Sequence, residues 1–340
     1  METHAGKAPR VESKLNFRDR SGAYKVRWGI GRMRYKVDPG LYALGAPDAD
    51  SPVLVSANFK MSFDRLREAL NPGRNAWILV LDTGGINVWC AAGKGTFGTE
   101  ELAGRIESSG LAGVVKHRRV IVPQLGAPGI CAHEVQKISG FKVVYGPVRA
   151  ADLPEFMDSG MKAGPGMRMK TFTTGERLSL VPVEMVHAFK TLLMVLPLML
   201  LLSGLSGNGG FFSNVLRFGG FAALGLIMAI AAGCLLTPVL LPWLPGRAFS
   251  IKGIWPGIAC ALLFLTLRNT VGDLPAAGVL ETAAWTLIIP GVSAYLAMNF
   301  TGCSTFTSLS GVKKEMRWAV PAQIAAVALG AIFWITSIFV

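Results

Sequence analysis

The sequence predicts two parts, an α/β domain followed by an all-α transmembrane domain of about five helices. Three observations carry that prediction. Charge is partitioned: residues 1–190 hold 27 Lys+Arg and 18 Asp+Glu, whereas residues 191–340 hold 7 and 3. Within the charged part, short apolar runs alternate with amphipathic stretches, the rhythm of strands and helices in a layered α/β domain. The remainder contains uncharged stretches of 26, 29 and 23 residues, each longer than the ~20 that a helix needs to cross a bilayer core. A chain that is 51% hydrophobic, only 16% charged and yet carries a net charge of +13 is not one averaged soluble domain, in which roughly 25% of residues are charged.

Residues 1–40 carry ten Lys+Arg against four Asp+Glu and little periodicity, which predicts a basic N-terminal arm on a surface or facing a membrane. A domain over residues 41–184 follows. Pro52–Ala57 reads as a buried strand and Phe63–Leu70 as a short amphipathic helix. Trp77–Asp82 (WILVLD) is the clearest strand and leads into a Gly-rich turn. Thr99–Ser109 is a helix whose Glu100 and Glu101 suit the positive end of its dipole. Arg119–Pro123, Ala132–Ser139, Lys142–Gly146 and Ala150–Asp158 repeat the strand–helix unit, and Leu178–Val183 is expected to be a last strand. Such alternation argues for a mainly parallel sheet, whose ligands sit beyond the carboxyl ends of the strands. The loops after Asp82, Pro123 and Gly146 are therefore the place to look for a site.

The transmembrane domain is expected over residues 185–340, with spans within 191–216, 218–246, 253–267, 275–300 and 318–340. The third has only 15 residues between Lys252 and Arg268, so it spans only if both side chains reach outward. With residues 1–190 inside, the inner loops carry Arg247, Lys252, Lys313, Lys314 and Arg317, and the outer loops Arg217 and Arg268. That bias predicts a multi-pass protein of the cytoplasmic membrane with its N-terminal domain in the cytoplasm. The basic loops need the lipid bilayer and no nucleic acid to explain them. No charge pairs stand in the helix centres, so an anchor or docking platform fits better than a pump. No apolar segment suggesting a cleaved signal peptide occurs from Met1 through Phe17. The five cysteines (Cys90, Cys131, Cys234, Cys260, Cys303) are scattered, which disfavours a disulfide framework, a zinc knuckle or a cysteine-held cluster.

The loop after the clearest strand runs Asp82-Thr-Gly-Gly-Ile-Asn87-Val-Trp-Cys90-Ala-Ala-Gly-Lys94-Gly-Thr-Phe-Gly98. Gly93, Gly95 and Gly98 match G-x-G-x-x-G but begin eleven residues past the strand, too far for a pyrophosphate turn. A phosphate-binding P-loop fails as well, because Val88 and Gly95 stand where glycine and a hydroxyl are required. What remains is a cysteine on a helical turn with Lys94 one turn on, on the same face. A nearby cation and a helix N-terminus are the surroundings of metal-ligating thiolates. The same residues also suit a packed helix with a core cysteine, and the two readings stay open on the residues alone.

The octet Asn87–Lys94 (NVWCAAGK) resembles the cap-helix signature of the membrane corrinoid proteins of microbial mercury methylation, the HgcA family. The likeness continues through Lys94–Leu102, Pro123–Gly129, Val144–Asp152 and Asn299–Gly302. Cys131 stands where that family usually has a small inert residue. The resemblance implies a Rossmann-like corrinoid-binding domain, similar to that of the corrinoid iron–sulfur protein of the acetyl-CoA pathway. It implies a cobalamin-type corrinoid bound base-off, with Cys90 as metal ligand, the lower axial ligand to cobalt. Consistently, no histidine follows an aspartate in a D-x-H-x-x-G motif. Cys90, Asn87 and Lys94 become the catalytic candidates, with Asn87 expected to hydrogen-bond the sulfur. Thr83, Gly85, Asn87, Val88, Trp89, Cys90, Ala91, Ala92 and Gly93 are candidates for cofactor binding, with Gly126, Ala127, Gly129, Tyr145, Gly146 and Pro147 from the two neighbouring loops.

The implied activity is methyl transfer from the methylcorrinoid to Hg(II), giving methylmercury, a corrinoid-dependent methyltransferase reaction. The alternative is a corrinoid methyl carrier of one-carbon metabolism. A thiolate is a strong, soft donor, and opposite the methyl group it favours transfer as a carbanion to a soft ion. No redox centre is visible in the chain, so a ferredoxin-like partner with two 4Fe–4S clusters (the HgcB type) is implied as electron donor. A methyltetrahydrofolate-dependent methyltransferase is implied as methyl source. Cys303 lies in an expected cytoplasmic loop and reads as a plain loop cysteine.

Overall fold

Ala76–Leu81 (AWILVL) is apolar without interruption, and all six residues are buried. A strand with no polar face needs cover on both sides, the condition of a central strand in a parallel sheet. A computed structural model of the chain describes residues 1–3, 6–71, 73–206, 210–271, 276–303 and 308–340. It divides into two units, Met1–Lys170 and Thr171–Val340.

The first unit runs β1 (Glu2–Thr3), β2 (Gly6–Lys7), β3 (Arg10–Val11), α1 (Phe17–Arg27), β4 (Gly40–Leu44), β5 (Val53–Ala57), α2 (Lys60–Ala69), β6 (Ala76–Leu81), α3 (Val88–Lys94), α4 (Thr99–Ser108), α5 (Leu111–Val114), β7 (Arg119–Val122), α6 (Ala132–Ser139), β8 (Lys142–Tyr145) and α7 (Leu153–Asp158). A six-stranded sheet has the order β3-β4-β6-β5-β7-β8. Strands β6, β5, β7 and β8 are mutually parallel, and β4 pairs with β6 antiparallel. Side-chain alternation sorts the strands onto two cores. Val55, Leu79 and Val122 pack with Leu102, Ile106 and Val135 of α4 and α6. Leu54, Ile78 and Ile121 pack with Phe63 and Leu66 of α2 and with Leu153 and Phe156.

The expected strands over 52–57, 77–82, 119–123 and 142–146 are β5 to β8. Residues 178–183, expected as a strand, are helical instead, over Thr174–Leu178 and from Val181 onward. Thr173 and Glu176 form a reciprocal capping box at the first helix, and Pro182 sits at the start of the second, where a missing N–H costs nothing. The expected boundary at 184/185 thus falls inside a helix. Residues 1–40, expected as an arm, supply β3 to the sheet and dock α1 on α2. Asp19 is 8% exposed and accepts from Lys60 Nζ at 2.6 Å and Arg67 Nη2 at 2.7 Å. Burial opposes ionisation of Asp19, but the hydrogen bonds from Lys60 and Arg67 outweigh it and hold the carboxyl at about 2.

Among its described residues the second unit has five helices long and apolar enough to cross a membrane: Thr174–Gly204, Phe211–Leu240, Phe249–Thr270, Val279–Gly302 and Ser310–Phe339. The third is 22 residues long and includes both charges that bounded the expected 15-residue segment. Arg268 does not reach outward. It is 2% exposed and forks onto Glu281 of the fourth helix, with Nε–Oε1 at 2.9 Å and Nη2–Oε2 at 3.0 Å. The guanidinium also lies 5.4 Å from the Phe221 ring centre. Lys252 donates to Leu241 O at 2.7 Å. Cys234 and Cys260 are buried within this unit; the Cys303 side chain and residues 304–307 lie outside the described residues.

Candidate functional site at the sheet's switch point

Within the parallel core, β5 has β6 on one side and β7 on the other. Chain progression therefore reverses between β5 and β7, the point at which doubly wound sheets open a crevice beyond their carboxyl ends. A cavity of about 380 Å³ lies there, lined by Leu54, Val55 and Ser56 of β5 and Ile121 of β7. Met61, Ser62, Arg65 and Leu66 of α2 close one side, and Asn87, Val88 and Trp89 close another. The loop after β8 contributes Gly146 and Pro147.

The lead-in to α3 is built around Asn58, a 1%-exposed residue directly after β5. Its Oδ1 accepts from Gly85 N at 2.8 Å and Thr83 N at 3.2 Å, and the Thr83 hydroxyl lies 2.8 Å away. Its Nδ2 donates to Asp82 Oδ1 at 2.9 Å. Thr83 is fully buried, and its Oγ1 is also 2.7 Å from Ile86 O. Gly84 and Gly85 have φ of 66° and 76°, conformations open to glycine at little cost. Thr83 and Gly85 thus shape the turn. The sequence reading missed Asn58 and the α2 wall. The available signal for Asn58 was a polar side chain at the carboxyl end of a buried strand, beside a turn whose N–H groups need partners.

Asn87 caps α3: its Oδ1 accepts from Cys90 N at 2.9 Å. Asn87 is thus tied to the backbone of Cys90, and among the described residues the expected hydrogen bond from Asn87 to the sulfur is not formed. Cys90 is exposed, which removes the core-cysteine reading. Lys94 ends the helix, exposed, and Gly95 closes it with φ 82°. Ala91 and Ala92 face the core, 0% and 5% exposed, so their side chains have no free surface for a ligand, and Gly93 is exposed.

Beneath α3 lies a 3-10 turn, Gln124–Gly129. A Cβ on Gly129 would come within 2.2 Å of Phe97 O and 3.1 Å of Ala92 Cα, and one on Gly126 within 2.4 Å of the Phe97 ring. The close approach these glycines permit is to the protein's own backbone and to Phe97. Ala127 is half-buried in the same turn. Tyr145 donates from its hydroxyl to Ile130 O at 2.7 Å; burial pushes its phenol up, a backbone hydrogen bond with Ala132 opposes the rise, and the electrostatic effect of nearby Cys131 adds to it. Of the proposed cofactor contacts, Asn87, Val88, Trp89, Gly146 and Pro147 line the cavity.

Every wall of this cavity lies between residues 54 and 153. That segment matches a known family. Residues 31–157 fit the model described as the CO dehydrogenase/acetyl-CoA synthase delta subunit, CdhD. Similar proteins include the acetyl-CoA decarbonylase/synthase complex subunit gamma of Methanopyrus kandleri, 34% identical over 124 residues, which is 36% of this chain and 26% of that one. The subunit gamma of Methanothermobacter thermautotrophicus is 32% identical over 123 residues (36% and 26%), and that of Methanocaldococcus jannaschii 32% over 122 residues (36% and 25%). The chain spans about a quarter of the length of these relatives. The family match holds β4 to β8, the cavity and α3, and stops short of all five apolar helices.

Proposed function

We propose that the chain is a membrane-anchored corrinoid protein that transfers a methyl group from the cofactor to Hg(II). The observation that carries this reading is an exposed thiol, Cys90, on a short helix at the rim of the switch-point cavity. The residues fit such a cofactor. The cavity is mostly apolar and about 380 Å³, and its Trp89, Ile121 and Pro147 would hold the planar base of a corrinoid whose nucleotide arm is released from the metal. A corrinoid held by these residues would supply the cobalt chemistry of methyl transfer.

The chain's own residues do the rest. Cys90 offers the metal one sulfur donor, soft and electron-rich when ionised. Asn87 fixes the backbone of Cys90 and with it the origin of the side chain. Trp89, half-buried against the cavity, separates the thiol-bearing turn from the space below it. Lys94 places a positive charge one turn further on the same face, where it offsets the charge of a thiolate. The five apolar helices serve as the anchor, and the excess of Lys and Arg in the loops on its side supports a cytoplasmic corrinoid domain. A ferredoxin-like protein with two 4Fe–4S clusters supplies electrons between turnovers, and a methyltetrahydrofolate-dependent methyltransferase restores the methyl group.

The family match favours a second reading, a methyl carrier of one-carbon metabolism that uses the same site. Reconstitution of the full chain with cobalamin, followed by its absorption spectrum, tests both. Wild type should take up one corrinoid, and Cys90→Ala should give a different axial-ligand spectrum and lose methylmercury formation from added Hg(II). Failure to bind corrinoid overturns both readings. A methylated protein that is inert toward Hg(II) leaves only the carrier.

A further inference from the structure

On the far side of the 3-10 turn from its own sheet strand, the chain enters α6 through Cys131, and here three metal-ligating side chains converge that the methyl-transfer reading does not use. Cys131 Sγ lies 3.2 Å from His133 Nδ1 and 3.6 Å from Nε2. The ligand atoms of Cys131, His133 and Glu134 all lie within 4.8 Å of one another. A tetrahedral zinc-type ion bound at ordinary Zn–S and Zn–N lengths holds its sulfur and nitrogen ligands ~3.6 Å apart. The observed separation is close to that value.

The backbone carrying these groups is fixed. Cys131 N donates to Thr99 Oγ1 at 2.8 Å, and the preceding carbonyl, Ile130 O, receives the Tyr145 hydroxyl. Cys131 occupies the N-cap position of α6, yet its side chain makes no capping bond, so the sulfur is not spent on the helix. His133 and Glu134 are exposed, and among the described residues no other hydrogen bond or ion pair engages their side chains. One soft, one intermediate and one hard donor on the solvent side leave a fourth position to water, the arrangement of an open zinc-type site.

We infer that Cys131, His133 and Glu134 form a binding site for a d¹⁰ divalent ion of the zinc group, Zn(II) or its heavier congener Hg(II). Cys131 binds as thiolate, so each ion taken up releases the thiol proton to solvent. The site stands independently of the corrinoid reading, because it uses none of its residues.

Co(II) reports on such a site by a sulfur-to-metal charge-transfer band. The full chain in detergent, reduced and free of corrinoid, is titrated with Co(II), then with Zn(II) or Hg(II) in competition. Wild type should show the thiolate band at one equivalent, and both Zn(II) and Hg(II) should displace it. Cys131→Ser should abolish the band, and His133→Ala should weaken Co(II) binding roughly tenfold or more; circular dichroism checks that each variant is folded, and His133→Ala carries the test should Cys131→Ser not fold. A band that survives in Cys131→Ser, or affinity untouched in His133→Ala, overturns the assignment. Displacement by Hg(II) but not by Zn(II) also overturns it, since a thiol alone would behave that way.

Discussion

Asn58 is the residue on which the position of Cys90 most depends without any contact between them, and its truncation has a calculable cost. Asn58→Ala removes the acceptor for Thr83 N and Gly85 N and the donor to Asp82. Thr83 is fully buried, so its stranded N–H costs about 1–3 kcal/mol. Gly85 and Asp82 reach water and lose only the net worth of a hydrogen bond, about 1 kcal/mol each. The turn before α3 should therefore lose about 3–5 kcal/mol, a sizeable part of a domain's total stability. If the turn opens locally, hydrogen exchange over residues 82–94 should speed up at least ~100-fold at 1.36 kcal/mol per decade. Exchange measured by mass spectrometry on the full chain tests this, with corrinoid uptake followed in parallel. Asn58→Asp keeps the acceptor but turns a carboxylate toward Asp82; it should be as damaging at pH 7 and recover as the pH falls toward the carboxylate range. Exchange within threefold of wild type in Asn58→Ala would refute the role given to this side chain.

Three further outcomes are expected. Asp19 is held at about 2 against an ordinary 3.8, so it contributes about 2 kcal/mol that is fully present above pH 4 and lost as the pH falls from 4 to 2; Asp19→Asn should flatten that part of the acid-unfolding curve. Gly129→Ala forces a Cβ against the backbone of Phe97 and Ala92 and should cost about 1–3 kcal/mol, whereas Gly93→Ala, with nothing within 4 Å, should stabilise α3 by about 0.5–1 kcal/mol and lower corrinoid uptake if the cofactor lies over this face; thermal unfolding of the two variants separates them. Arg268→Ala leaves Glu281 without its fork and should cost about 3–5 kcal/mol in detergent, while the double replacement Arg268→Leu with Glu281→Leu should recover most of it, as read from thermal midpoints.

The parallel strands were legible because each is an apolar run that only a doubly covered strand can bury, and β5 to β8 fall where those runs are. What escaped the reading was held together by other forces. Helix α1 buries just Asp19 and Val26, so its docking rests on an ion pair with Lys60 and Arg67, 41 and 48 residues away, and such pairing leaves no periodic trace. Strand β4, five residues bounded by Pro39 and Gly45, joins antiparallel to β6 through backbone bonds that composition does not encode. Residues 178–183 form a short, mostly apolar run of strand length, yet Thr173, Glu176 and Pro182 supply helix-start chemistry that outweighs it. The charges that bounded the third span suggested snorkelling, and the structure answers with a partner on the next helix, a tertiary pairing that no window within one helix reports.

The site itself shows why an octet was readable while its supports were not. A helix of seven residues is too short to be stable alone, so α3 has to be held from outside. Asn87 caps its start and Gly95 its end, both signals local to the sequence. Its underside is held differently: Ala91 and Ala92 are buried because Gly129, 37 residues on, lets the 3-10 turn approach to backbone contact. With that face committed to packing, residues 90 and 94 are left on the outer face, and Cys90 cannot retreat into the core without dislodging two alanines. The exposure of the thiol is thus set by glycine and alanine packing beneath it, which makes Gly129 and Ala92 positions where the thiol can be moved without being touched.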